Sequence, residues 1–392
     1  MTKALSTRAV RAGINCDTAF GSIVPPLVLS ANFSFDGFDG KRRYDYTRSR
    51  NPTRDQLGDA LASLEGGAAA VVTATGMAAV SLILHALLEP GNRLLVPHDC
   101  YGGSWRLFTA LAAKGAFELD SCNFTDALAV DAAIGRKPDV VWLETPSNPL
   151  LRITDLAATA AAAHAAGALV VVDNTFLSPA LQRPLEHGAD IVVHSTTKYI
   201  NGHSDVVGGA AIAGDLALVE RLAWWANALG LTGSPFDSFL TLRGLRTLDA
   251  RLRIQQANCA AIAELLADDP HVAAVHYPGL PDHPGHAIAV RQQDGFGAML
   301  SFEFDGGENA ARTFANGLTC ITIAESLGGV ESLIAHPVSM SHAVLSEEER
   351  SRAGIGPGLL RLSVGIEHLD DLTADIRAGL RRVAAECEGA GA

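Results

Sequence analysis

The feature that most restricts the fold is an alternation that begins near residue 55. Short runs rich in valine, leucine and isoleucine recur at 69–73 (AAVVT), 93–97 (RLLVP), 139–144 (DVVWLE), 168–173 (ALVVVD) and 189–194 (ADIVVH). Between them lie segments of helical character, such as 77–89, 103–114 and 154–166. A strand that is apolar at nearly every position must be covered on both faces, and strands joined through helices run parallel. The pattern predicts an α/β fold with a mainly parallel central sheet. In such sheets ligands gather beyond the carboxyl ends of the strands, so chemistry is expected in the residues that close each run.

The flanks have a different character. The first residues include VPPLVLSANFSF and KRRYDYTRSRNPTR, rich in Pro and Arg and without a clear period. They predict an extended arm over 1–55, of the kind that crosses to another subunit. A large α/β domain over 56–255 is expected next, and after the alternation comes a long helical region around 216–269. A smaller α+β domain over 256–392 carries the runs AMLSFEF (298–304) and GLLRLSV (358–364) and a final helix from about residue 369. A chain of 392 residues has room for one large domain with a smaller companion.

Composition removes several classes of function. The formal charge of −13 argues against a nucleic-acid surface, which needs clustered Lys and Arg. The stretch 156–172 is long and apolar, but Gly167 divides it into an alanine-rich helix and a valine strand, so no membrane span is predicted. MTKALSTRAVRAG has no apolar h-region. The six cysteines (Cys16, Cys100, Cys122, Cys259, Cys320 and Cys387) show no paired or zinc-ligand spacing, which suits reduced thiols in the cytoplasm. His283 and His286, in the Pro- and Gly-rich stretch 275–286, lack further ligands in a matching pattern, so no metal is expected.

Neither G-x-G-x-x-G after the first run nor G-x-x-x-x-G-K-[ST] occurs. Four other features stand where strands should end. ATGMAA (74–79) opens a helix, and the free N–H groups of Gly76 and Met77 suit a phosphate. Asp173 closes VVVD, either as the partner of a cation or as a helix N-cap. Lys198 follows Ser195, Thr196 and Thr197. A lysine there either caps a strand and reaches water or, held in a desolvated pocket, loses basicity and attacks carbonyls. Arg361 interrupts GLLRLSVG and needs a carboxylate partner from protein or substrate. A phosphate cradle, a carbonyl-reactive lysine and a carboxylate for a pyridinium nitrogen together describe a pyridoxal phosphate site.

HSTTKYINGHSDVVGG, VVVDNTFLSPALQRPL, ETPSNPL, HDCYGGSWRLF and AESLGGVESLIAHP resemble the Cys/Met-metabolism group of pyridoxal phosphate enzymes. The likeness runs from YDYTRSRNPTR to LLRLSVGIE. It implies the aspartate-aminotransferase-like architecture, fold type I, and a homotetramer built of two active-site dimers. On this resemblance Lys198 carries the cofactor and shuttles protons, and Asp173 faces its ring nitrogen. Gly76, Met77, Ser195 and Thr197 cradle its phosphate, which Tyr46 and Arg48 reach from the neighbouring subunit. Tyr101 stacks on the ring and helps activate the incoming amine. Arg361, Asn148 and Ser326 clamp the substrate α-carboxylate, and Asp45, Arg106 and Glu325 line the distal substrate pocket.

Within the group, YDYTR, HDCYGGSWRLF, LAWWANALG and FGAMLSFEF resemble the bacterial synthases that join an O-acylhomoserine to cysteine by γ-replacement. The implied alternatives are a γ-lyase, an O-acylhomoserine sulfhydrylase and, more remotely, a cofactor-binding regulator without catalysis. Ser49 stands where the synthases tend to carry a basic residue, and Arg50 where glycine is usual. Gly103 replaces the cysteine of methionine γ-lyases, and Glu325 the tyrosine typical of β-lyases.

Overall fold

The computed structural model describes residues 3–343 and 346–390; Met1 and Thr2, at the head of the expected arm, lie outside them. Among the described residues, seven strands form one sheet: β1 (Ala69–Thr73), β2 (Arg93–Pro97), β3 (Glu118–Cys122), β4 (Val140–Glu144), β5 (Leu169–Asp173), β6 (Ile191–Ser195) and β7 (Gly209–Ala213). Their spatial order is β1-β7-β6-β5-β4-β2-β3. The strands from β3 to β6 pair in parallel, and β7 runs antiparallel to both β6 and β1.

Burial on both faces is visible along β4. Val140 and Trp142 pack into one apolar layer with Leu94, Val96, Val171 and the helix Gly76–Leu87. Val141 and Leu143 point the other way, into a layer with Leu95, Val170, Val172 and the helix Leu156–Ala165. Gly167 ends that helix region with φ +89°, which a residue without a Cβ adopts freely. The expected helical region 216–269 consists of three helices, Leu216–Leu229, Pro235–Leu245 and Leu248–Ala267. The first break runs from Gly230 (φ +72°) to Ser234, whose hydroxyl caps the second helix at Asp237 N, and the second falls at Arg246 and Thr247. No helix among the described residues is long and apolar enough to cross a membrane.

A second sheet follows, made of β8 (Val272–His276), β9 (Met299–Phe304), β10 (Thr322–Ile323), β11 (Leu333–Ala335) and β12 (Leu359–Ser363) in the order β10-β11-β12-β9-β8. Its core includes Leu300, Phe302, Phe314, Leu360, Leu362 and Ile376, closed by the helix Leu369–Ala390. The first two residues of the Pro- and Gly-rich stretch 275–286 complete β8, which ends at His276. Near the N-terminus, a short helix (Leu5–Val10) precedes chain tied together by an Asn32–Tyr46 bridge. This segment leaves Phe20 91% and Phe38 98% exposed.

Candidate active site

A cavity of about 420 Å³ opens where the carboxyl ends of the parallel strands meet the second sheet. The first sheet delivers Asp173 from the end of β5, Ser195 from β6, and Thr197 and Lys198 just beyond it. The second delivers Arg361 from the middle of β12, with Glu325 and Ser326 from the chain after β10. Gly76, Met77, Tyr101 and Asn148 also line the wall. Asp45, Tyr46, Arg48 and Arg106 are not part of it.

Gly76 and Met77 begin the helix Gly76–Leu87. Thr75 is its N-cap, accepting from Ala78 N at 2.8 Å. The first N–H groups of a helix have no partner within it and carry the positive end of its dipole. Small residues hold that turn close to the next strand. A Cβ on Gly76 would lie 2.8 Å from Ser195 Cβ, and one on Gly209 would lie 2.2 Å from Thr75 O. Thr197 Oγ1 accepts from Gly208 N at 3.0 Å and donates to Gly208 O at 3.2 Å, which fixes its rotamer. The result is a narrow concavity of backbone N–H and hydroxyl groups suited to a phosphate.

Lys198 Nζ donates to Ser326 Oγ at 2.8 Å. Burial, then the Arg361 charge, depress its amine to about 8, with Glu325 opposing. Asp173 accepts from Thr175 N at 3.0 Å. Burial pushes its carboxyl up and the Thr175 hydrogen bonds pull it down. Glu144, beside it in the register of β4 and β5, is pushed well up by burial and then by Asp173, although it accepts from Tyr101 N at 2.8 Å. Behind the strand ends a fully buried network joins Glu65, Asn174, Gln182 and His194, with His194 Nε2 2.5 Å from Glu65 Oε1.

Arg361 is 3% exposed. Its Nη1 donates to Asn148 Oδ1 at 2.9 Å and its Nη2 to Ser326 O at 3.0 Å, while Nε is buried without a hydrogen-bond partner. The open N–H suits a bidentate carboxylate. Tyr101 stands 42% exposed beside the cavity. A Cβ on Gly103 would lie 2.5 Å from its ring, so glycine there lets the ring fold back over its own helix. Burial and then Glu325 raise the phenol, and Arg106 lowers it, which puts the exposed Arg106 within electrostatic reach of the ring.

These features fit pyridoxal phosphate: an anion cradle, an amine of lowered basicity, and a buried carboxyl that a ring N–H⁺ would ionise. The remaining predicted residues lie elsewhere on this chain. Tyr46 is half-exposed, with the Arg48 guanidinium 5.7 Å from its ring, and Arg48 donates to Asn227 O at 2.8 Å. Asp45 pairs with Lys41 at 2.8 Å. Arg50 is held by Asp55 at 2.7 Å. Sequence reasoning missed Glu144 and Ser341. Glu144 had the same signal as Asp173, an acid closing an apolar run, whereas Ser341 had none.

Comparison with known proteins points to the same cofactor. The model of one family, described as Cys/Met metabolism PLP-dependent enzyme, matches residues 6–381. The chain is 54% identical to the cystathionine gamma-synthase of Escherichia coli K12 over 381 residues, 97% of this chain and 99% of that protein. It is 43% identical to the cystathionine beta-lyase of Coxiella burnetii, over 96% of this chain and 97% of that one. The structure of cystathionine gamma synthase from Xanthomonas oryzae pv. oryzae in complex with cystathionine superposes with a TM-score of 0.97. That match is 65% identical and covers 98% of this chain and all of the other.

Proposed function

The chain belongs to the Cys/Met metabolism PLP-dependent enzymes, and from that premise we propose that it acts as a cystathionine γ-synthase in methionine biosynthesis. The reaction breaks the Cγ–O bond of an O-acyl-L-homoserine, O-succinyl-L-homoserine in the first place. It forms a bond from Cγ to the sulfur of L-cysteine, giving L-cystathionine and the free acid. The observation that carries this reading is the convergence in one cavity of Lys198, Asp173, the Gly76–Ser195 cradle and the Arg361–Asn148 pair.

Pyridoxal phosphate, when bound, supplies an electron sink that acidifies the C–H bonds beside the substrate's amine. The chain's own residues do the rest. Gly76, Met77, Ser195 and Thr197 hold the phosphate, and Asp173 keeps the ring nitrogen protonated. Lys198, with its amine brought down to about 8, is neutral often enough near neutral pH to hold and move a proton at Cα. Its hydrogen bond to Ser326 aims it. Arg361, with Asn148 and Ser326, would grip the α-carboxylate, and Tyr101 would lie against the cofactor ring and help activate the incoming amine. Arg106 and Arg48 read the far carboxylate of a succinyl group, in a pocket shared with Asp45 and Glu325. Arg50, which pairs with Asp55, is a further candidate for that task.

The reading includes the division of the chain into the arm 1–55, the cofactor domain 56–255 and the C-terminal domain 256–392. The arm brings Tyr46 and Arg48 to a neighbouring subunit's phosphate, in a cytoplasmic homotetramer of two active-site dimers. The exposed Phe20, Ile23, Leu29 and Phe38 support an arm that a second copy covers. The test is a product assay on O-succinyl-L-homoserine with and without cysteine. Cystathionine as the main product with cysteine present is expected. Dominant 2-oxobutyrate, with cleavage of added cystathionine to cysteine, would assign a γ-lyase instead and make Ser49–Arg50 its mark.

A further inference from the structure

Ser341 and His342 follow β11 and meet the cavity from the side of the second sheet. Ser341 is part of the cavity wall, and His342 is buried behind it, 1% exposed. His342 Nε2 lies 3.2 Å from the backbone oxygen of Asn148. A carbonyl oxygen only accepts, so Nε2 carries the proton. Burial, and next the Arg361 charge, hold the imidazole down to about 4, so the ring is neutral and its Nδ1 is bare. Ser341 Oγ stands 2.9 Å from that Nδ1. The hydroxyl proton therefore goes to the ring, and Ser341 turns lone pairs, not a donor, toward the cavity.

The same cavity wall carries two donor-only side chains, Lys198 and Arg361, and three carboxyls, Glu144, Asp173 and Glu325. An O-acylhomoserine offers Ser341 little, because its ester and carboxylate oxygens only accept and its amine is committed to the cofactor. The second amino acid is different: it arrives with a free ammonium. Glu325 in the same wall adds negative charge that favours such a group. We infer that Ser341 is a specificity contact for the thiol-bearing second substrate, accepting a hydrogen bond from its ammonium, and that His342 is the positioning residue that fixes Ser341 as an acceptor. The inference rests on the γ-replacement reading.

The test compares Ser341→Ala and Ser341→Thr with wild-type holoenzyme, using cysteine or sulfide as nucleophile and also neither, when only elimination proceeds. A hydrogen bond to a charged group sets the scale, so Ser341→Ala should raise KM for cysteine about tenfold or more. Turnover with sulfide, which has no ammonium, the elimination rate and the visible absorption of the cofactor should stay near wild type. Ser341→Thr keeps the hydroxyl and should recover most of the cysteine affinity. His342→Gln can both donate to Asn148 O and accept from Ser341, so it should be milder than His342→Leu. An unchanged KM for cysteine in Ser341→Ala, or equal losses with cysteine, sulfide and elimination, would overturn the inference while leaving the synthase reading intact. A wild-type enzyme that forms no cystathionine overturns that reading, and the inference with it.

Discussion

Replacing Arg361 by alanine is the sharpest single test of the substrate clamp. A guanidinium has five N–H donors. Asn148 Oδ1 and Ser326 O take one each, and the rest, the buried Nε–H among them, remain for a ligand. Two charge-assisted hydrogen bonds to a carboxylate contribute about 1.5–3 kcal/mol each. Their joint loss therefore lowers kcat/KM by about 10²–10⁴. The carboxylate is gripped before and during the reaction alike, so KM should rise more than kcat falls. Arg361→Lys keeps the charge without the planar fork and should recover only part. The assay is steady-state kinetics over a range of O-succinylhomoserine at fixed cysteine. Cofactor absorption and thermal melting serve as controls, because alanine also strands Asn148 Oδ1, at about 1–3 kcal/mol if it stays buried. A variant with normal absorption and an unchanged KM for the ester would refute the clamp.

Lys198→Ala should abolish turnover. In the wild type stripped of cofactor, the rate of pyridoxal phosphate capture should rise through about pH 8, where the depressed amine becomes neutral, and level off above. An inflection near 10.5, the value of an unshifted lysine, would contradict its desolvation. Gly76→Ala puts a Cβ 2.8 Å from Ser195 Cβ and 3.0 Å from its Cα. Cofactor affinity, followed by absorbance titration, should fall by at least about tenfold, or ~1.4 kcal/mol; full affinity would mean that the cradle is wider than described. Arg106→Ala should slow O-succinylhomoserine more than O-acetylhomoserine, and equal loss on both would remove Arg106 from reading the distal carboxylate.

The strands were legible where the sequence carries branched apolar runs: β1 and β2 fall on the expected residues, and β4, β5 and β6 within two. The missed strands show what that signal lacks. β3 (ELDSC) is a sheet edge, whose Glu118 and Asp120 are there to pair with Arg93 on β2. β7 (GAAIA) is buried throughout but built of small residues, because Gly209 must pass within reach of Thr75 O. Strand propensity reflects side chains fitting a pleated surface, and neither case advertises that fit. The cavity residues were visible as polar punctuation at strand ends. Ser341 was not, since its orientation depends on the neighbouring His342, itself fixed by the Asn148 carbonyl far away in sequence.

Ser326 has a position with consequences of its own. It adopts φ +87°, unusual for a residue with a side chain, and faces two ways: its hydroxyl accepts from Lys198 and its carbonyl from Arg361. The guanidinium's charge is one of the two causes that hold the lysine's basicity down. A substrate carboxylate seated on Arg361 offsets that charge, so the amine gains proton affinity as the substrate docks. On the proposed mechanism the base is therefore stronger with the substrate's carboxylate on Arg361 than beside the bare guanidinium.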